Sequence, residues 1–173
     1  VFDGVGRPKD NLPHVLATDR RDVNGLPINP FSRAYPRDFI QTGITSIELM
    51  NALVRGQKPP IFSGNGLPHG RIAAQIARQA TLLNEDAEFA IVFAAMGIKY
   101  DVARFFIDSF RKSGVINNVT MFLSLADDPS VERLVTPRSA LTFAEYLAFA
   151  LDVHVLGIMP DMLHHCEALC EVA

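Results

Sequence analysis

The sequence predicts an α/β domain built on a mostly parallel β-sheet. The continuous apolar run "FAIVFAAM" (89–96) suits a strand covered on both faces, and "NVTMFLSLA" (118–126) reads as another buried strand. Between and after them lie segments with apolar residues at helical spacing, and strands alternating with helices of that length give a parallel sheet joined by right-handed crossovers.

The elements follow in order. Residues 1–43 hold turn formers (Gly4, Gly6, Pro8, Pro13, Gly25, Pro27, Pro30, Pro36) and little periodicity, which predicts a connecting segment with at most short strands. The texture changes near residue 58, so residues 1–57 are expected to lead into a domain spanning 58–173. Residues 58–63 make a short apolar strand candidate, and 70–83 a helix with Ile72, Ile76, Ala80 and Leu83 on one face. The stretch 101–114 places Val102, Phe105, Phe106 and Phe110 on a stripe, with Lys112 in the last turn and Gly114 as its C-cap. "SVERLV" and 139–151 read as helical, "VHVLGIMPD" (153–161) as a fourth strand, and the remainder as a last helix. No internal repeat or low-complexity tract is present.

Composition narrows the function classes. With 173 residues, 49% hydrophobic and 20% charged, the chain is long and apolar enough for one sizeable core. The net charge is −3 with no basic run longer than two, which provides no electrostatic footprint for nucleic acid or an anionic membrane. No apolar stretch reaches the roughly 18 to 20 residues of a spanning helix, and the N-terminus lacks the sections of a signal peptide, so a soluble intracellular protein is expected. The two cysteines, Cys166 and Cys170, stand four apart in one predicted helix, which argues against a disulfide framework. A metal site from His164, His165, Cys166 and Cys170 lacks the spacing of paired zinc ligands; the other reading is a helix face with one buried and one incidental thiol. The chain opens at Val1 and closes at "CEALCEVA" inside a helical pattern, which predicts an excerpt of a longer protein.

In a parallel sheet, ligands bind beyond the carboxyl ends of the strands, where the sequence places "SGNGLPHGR" (63–71), "AAMGIK", "LADDPS" and "MPDMLHH". The first is an apolar run, a Gly-rich turn and a helix, the setting of a phosphate loop. Aligned from Gly64 with G-x-x-x-x-G-K-[ST], the second glycine falls on His69, the lysine on Gly70 and the hydroxyl residue on Arg71. The loop therefore lacks the ammonium for the β- and γ-phosphates and the hydroxyl for magnesium, and Pro68 has no N–H to offer an anion. Ser63, Gly64, Asn65, Gly66, Leu67, Pro68, His69, Gly70 and Arg71 are thus candidate residues of a degenerate nucleotide site. A structural Gly/Pro turn is the competing reading, and Arg71 can serve in part as a longer phosphate donor.

The other loops carry little hydrolytic chemistry. Lys99 stands where an acidic residue would activate water. Asp161, after an apolar strand, holds the place of a magnesium-associated acid, or else caps the next helix. Asp127 and Asp128 before Pro129 read as turn and N-cap residues. His14 and His154 are assigned no role, and Tyr35, Phe39 and the Phe-rich helix read as packing surface.

The stretches "VFDGVGRP", "PINPFSRAYPRDFIQTGI", "MNALVRGQKPPIFSGNGLPH", "IAAQIARQA", "FAIVFAAMGI", "SLADDPSVERLVTPRSALTFAEYLAF" and "HVLGIMPDMLHHCEAL" closely resemble the non-catalytic beta chain of the archaeal and vacuolar (A-type and V-type) rotary ATPases. The resemblance runs through nearly the whole chain in the family's order. It implies a partial RecA-like domain, without the family's N-terminal barrel and C-terminal helical domain, from the non-catalytic subunit of a ring that couples ATP turnover to ion movement. It further implies contact with the catalytic A subunit and the central and peripheral stalk subunits, a cytoplasmic position peripheral to the membrane, and weak binding of ATP or ADP with Mg2+ at the loop. Neither nucleic acid, direct membrane insertion nor a metal centre is expected. Gly157 and Pro160 depart from a strand that the family keeps more regular, and Cys170 replaces a usual arginine. The alternative is an active nucleotide hydrolase with an atypical loop, against which Gly70, Arg71 and Lys99 all speak; a stand-alone small-molecule or metal-binding domain rests on the HHCEALC cluster alone.

Overall fold

The computed structural model describes residues 1–9, 13, 15–25, 29–32, 35, 37–64, 66–82 and 89–172. The expectations for His14, Pro27, Pro36 and Leu83 lie outside the described residues. β1 (Ile40–Gln41) is followed by α1 (Thr45–Met50), α2 (His69–Gln79) and β2 (Thr81–Leu82), and β1 pairs antiparallel with β2. Then come β3 (Phe89–Ile98), α3 (Tyr100–Ser113), β4 (Val119–Leu125), α4 (Ser130–Ala150), β5 (His154–Ile158) and α5 (Met162–Val172). The last three strands form a parallel sheet, as the sequence predicts, and their order is β4-β3-β5.

β3 is the centre of the molecule because its sequence leaves neither face for water. Val92 and Ala94 face one layer with Phe122, Ala140, Phe143 and Leu147. Ile91, Phe93 and Ala95 face the other, against Phe106 and Phe110 of α3 and Ala74 and Ala77 of α2. The Phe93 ring lies 4.7 Å from Phe106 and 5.3 Å from Phe110, all three side chains being fully buried. Tilted and edge-on aromatic pairs at this spacing add about 0.5–1.5 kcal/mol each beyond their burial. α3 ends as predicted, with Gly114 left-handed at φ 78°.

Several expectations are corrected. Residues 58–63 form no strand: residues 55–64 are exposed, Ile61 and Phe62 among them. Pro59 and Pro60 supply no ladder donors, so this apolar run has nothing to pair with. The helix expected over 70–83 stops at Gln79, where Ala80 turns extended and Thr81 pairs with Gln41. The helical pieces "SVERLV" and 139–151 are one helix, α4, with Pro137 inside it. The fourth strand is shorter than 153–161; Gly157 keeps its place opposite Val92, and pairing ends at Ile158, ahead of Pro160.

The first residues are better ordered than a connector requires. Phe2 lies beside β4, its N–H donating to the Met121 carbonyl at 2.7 Å and its carbonyl accepting from the Leu123 N–H at 2.9 Å. Its ring stacks on Phe122 with centroids 5.6 Å apart. Residues 1–9 thus cover part of an edge that would otherwise expose backbone groups.

Candidate functional site

Only the helix of the predicted strand–turn–helix keeps its regular form, and the turn before it is closed upon itself. The Leu67 N–H donates to the Gly64 carbonyl at 3.3 Å, with Gly66 at φ 79°. The His69 N–H donates to the Leu67 carbonyl at 2.9 Å and the Arg71 N–H to the Pro68 carbonyl at 3.0 Å. Phosphate loops work by leaving such donors convergent and unspent. Asn65 lies outside the described residues. Ser63, Gly64, Gly66, Leu67 and Pro68 line an exposed turn, His69 and Arg71 are exposed in the first turn of α2, and Gly70 between them is half-buried.

Gly70 has a local reason beyond loop chemistry. A Cβ there would stand 3.3 Å from Cζ of Phe106, itself fully buried, so a side chain in the lysine position must push against the α3 core. His69, expected at the motif's second glycine, turns its ring across the loop. Its Nε2 lies 2.7 Å from Oδ1 of Asp161, and its Nδ1 3.1 Å from the Leu67 carbonyl and 3.3 Å from Ser63 Oγ. Since a carboxylate only accepts, Nε2 carries the donated hydrogen.

The structure therefore brings Asp161 to the loop, but commits its carboxylate to His69. The Asp161 side chain is 17% exposed and its backbone is left-handed at φ 60°, a region that aspartate tolerates better than most residues. Its carbonyl accepts from the His164 N–H at 3.0 Å, which starts α5.

The neighbouring loops are occupied by structural work. Asp128 is a turn residue: its Oδ2 accepts from the Leu125 N–H at 2.7 Å and pairs with Lys9 at 3.0 Å. The N-cap of α4 is Pro129, so neither Asp127 nor Asp128 caps that helix, because the proline fixes the entry instead. Lys99 is the exposed N-cap residue of α3.

The HHCEALC cluster is divided between two tasks. His164 Nδ1–H donates to the Met96 carbonyl at 3.1 Å, where β3 bulges and Gly97 adopts φ 63°. His165 Nδ1–H donates to the Arg133 carbonyl at 3.1 Å. That carbonyl would ordinarily accept from residue 137, but Pro137 has no N–H. Each histidine thus satisfies a carbonyl exposed by an irregularity in β3 or α4, and α5 is docked by both. Cys166 and Cys170 are both exposed, so the expectation of one buried thiol fails: Ala168 is the α5 residue that packs inward. Among the described residues no group of three or more His, Cys, Asp or Glu is arranged to hold a metal ion.

The His69–Asp161 contact has no signal in the sequence pattern. The two residues are 92 positions apart, one a loop member and the other a strand-end acid, and no local spacing joins them. Pro137 is the available clue to His165.

Residues 43–173 match the model of the ATP synthase alpha/beta family, nucleotide-binding domain. The chain is 64% identical over 173 residues to a V-type ATP synthase beta chain 2 of Treponema pallidum, and 60% identical to a V-type ATP synthase beta chain of Nitrosococcus oceani. It covers 36% of each, so it spans about a third of the length of these curated relatives. A solved structure of an ATP synthase subunit, NeqB from Nanoarcheaum equitans, superposes with a TM-score of 0.87 at 41% identity, covering 99% of this chain and 41% of that one. The fold, the matched residues and these similarities together show that the chain belongs to the ATP synthase alpha/beta family, as a homologue of V-type ATP synthase beta chains.

Proposed function

We propose that the chain is part of a non-catalytic subunit of a rotary ATP synthase or ATPase. In this reading residues 58–173 are its partial nucleotide domain, and residues 1–57 the segment leading into it. The subunit packs against a catalytic A subunit in an alternating ring that couples ATP synthesis or hydrolysis to ion transport. Central and peripheral stalk subunits complete its surroundings, and it works in the cytoplasmic head, peripheral to the membrane. Among the described residues no helix is long and apolar enough to cross a membrane.

The observation that carries this reading is the state of the 63–71 loop. Its N–H groups at Leu67, His69 and Arg71 are spent on its own carbonyls, and the lysine position is a glycine backed against Phe106. The residues present do not fit tight binding of ATP or ADP with Mg2+; what nucleotide they hold is held weakly. A charge-assisted hydrogen bond contributes roughly 1.5–3 kcal/mol, so the missing lysine alone weakens phosphate binding by about one to two orders of magnitude. No catalytic residue is assigned, and Lys99 offers no base for an attacking water.

Assaying the intact subunit alone for Mg-ATP turnover tests this. The expected rate equals the uncatalysed background. Turnover above background that disappears in Arg71→Ala would establish the hydrolase reading instead.

A further inference from the structure

We propose that Asp161 is a built-in anion that closes the 63–71 loop to phosphate. The proposal rests on the reading of that loop as a degenerate phosphate loop, and adds how the site is regulated from within.

Asp161 Oδ1 accepts from His69 Nε2–H at 2.7 Å, and His69 is the first residue of α2. A carboxylate is therefore tied through the His69 ring to the first residue of α2, the helix whose positive end would attract a phosphoryl group. The opposite ring nitrogen faces the Leu67 carbonyl at 3.1 Å and Ser63 Oγ at 3.3 Å, so the imidazole ties the turn to the end of β5. The loop is closed a second time by its own backbone hydrogen bonds. Phosphate entering this turn must displace the carboxylate or sit against a like charge, which costs affinity either way.

Displacement has a defined path outward. The Asp161 carbonyl accepts the His164 N–H at 3.0 Å, and the His164 ring holds the bulged Met96 carbonyl of β3 at 3.1 Å. Release of Asp161 from His69 thus acts on the junction between β5 and α5. Occupancy of the loop and the seating of α5 are linked through this one residue, and by reciprocity each biases the other.

Asp161→Asn removes the charge, and Asp161→Gly removes the whole side chain; both residues accept the left-handed backbone at φ 60°, so the turn itself is preserved. Inorganic pyrophosphate and ADP are titrated into the intact subunit and both variants, each with and without Mg2+, after thermal unfolding has shown all three to be folded. The proposal expects both variants to bind both probes roughly tenfold more tightly than the unsubstituted subunit, with or without the metal. Binding by the variants that is no tighter overturns it. Weakening confined to the Mg2+ titrations also overturns it, and makes Asp161 a magnesium-associated acid. Failure of the functional reading is seen separately, as Mg-ATP turnover in the unsubstituted subunit.

Discussion

Two stretches of this chain carry the same outline of apolar run, short connection and helix, and they end differently. In residues 89–113 the run becomes β3, with a parallel strand on each edge, and Lys99 alone separates it from α3. In residues 58–79 the run stays exposed, the turn folds back on itself, and only α2 is regular. The difference lies in what surrounds the run rather than in its hydrophobicity. β3 contains no proline and finds a strand on each edge and helices on each face; the second begins with Pro59 and Pro60 and finds no ladder to join. The well-packed unit carries stability, while the other carries the loop proposed as a degenerate phosphate site.

The largest effect is expected where the first stretch is truncated. Phe106→Ala removes a fully buried ring that packs on Phe93 and backs Gly70, and should cost about 3–5 kcal/mol in urea unfolding. A loss below about 1 kcal/mol would mean that α3 is not bound to β3 as described. Gly97→Ala comes next. It forces a side chain into φ 63° with its Cβ 2.9 Å from the His164 Cβ, and should cost about 1–3 kcal/mol. An unchanged denaturation midpoint would show that the β3 bulge is not held against α5.

His165→Ala leaves the Arg133 carbonyl without its donor, for a loss of about 1 kcal/mol. In a Pro137→Ala background the helix supplies that hydrogen bond itself, so the same substitution should cost less; equal losses in a double-mutant cycle would deny the coupling. Smallest of all is Phe62→Ser, in the unpaired stretch. With Phe62 91% exposed, the change should stay within about 0.5 kcal/mol. A larger loss would show the run to be packed after all.

Much of the first stretch was legible in the sequence. "FAIVFAAM" has no polar residue to turn towards water, and the stripe on 101–114 ending at Gly114 marks both the buried face and the stop of α3. β1 and β2 were not legible, because two-residue strands have no periodicity to detect; β1 is held by its pairing with β2 and by its Ile40 N–H donating to the Leu53 carbonyl at 2.9 Å. For the loop, Gly70 and Arg71 raise the expectation of a degenerate phosphate site, but say nothing of the contacts the turn makes instead. The Asp161 contact depends on a strand end 92 residues away, and the carbonyls taken by His164 and His165 become available only through a bulge and a proline in other elements. Local pattern reports which residues have an apolar face; it does not report which distant group will satisfy a polar one.

The most direct test of the central claim is a calorimetric titration of the unsubstituted subunit with Mg-ATP and with Mg-ADP. A loop whose Leu67, His69 and Arg71 N–H groups are spent on its own carbonyls, and which in the proposed reading has Gly70 in the lysine position, predicts no binding tighter than about 10 µM, roughly −7 kcal/mol, for either nucleotide. Tighter binding that is lost on Arg71→Ala would contradict the account and make residues 63–71 a working nucleotide site.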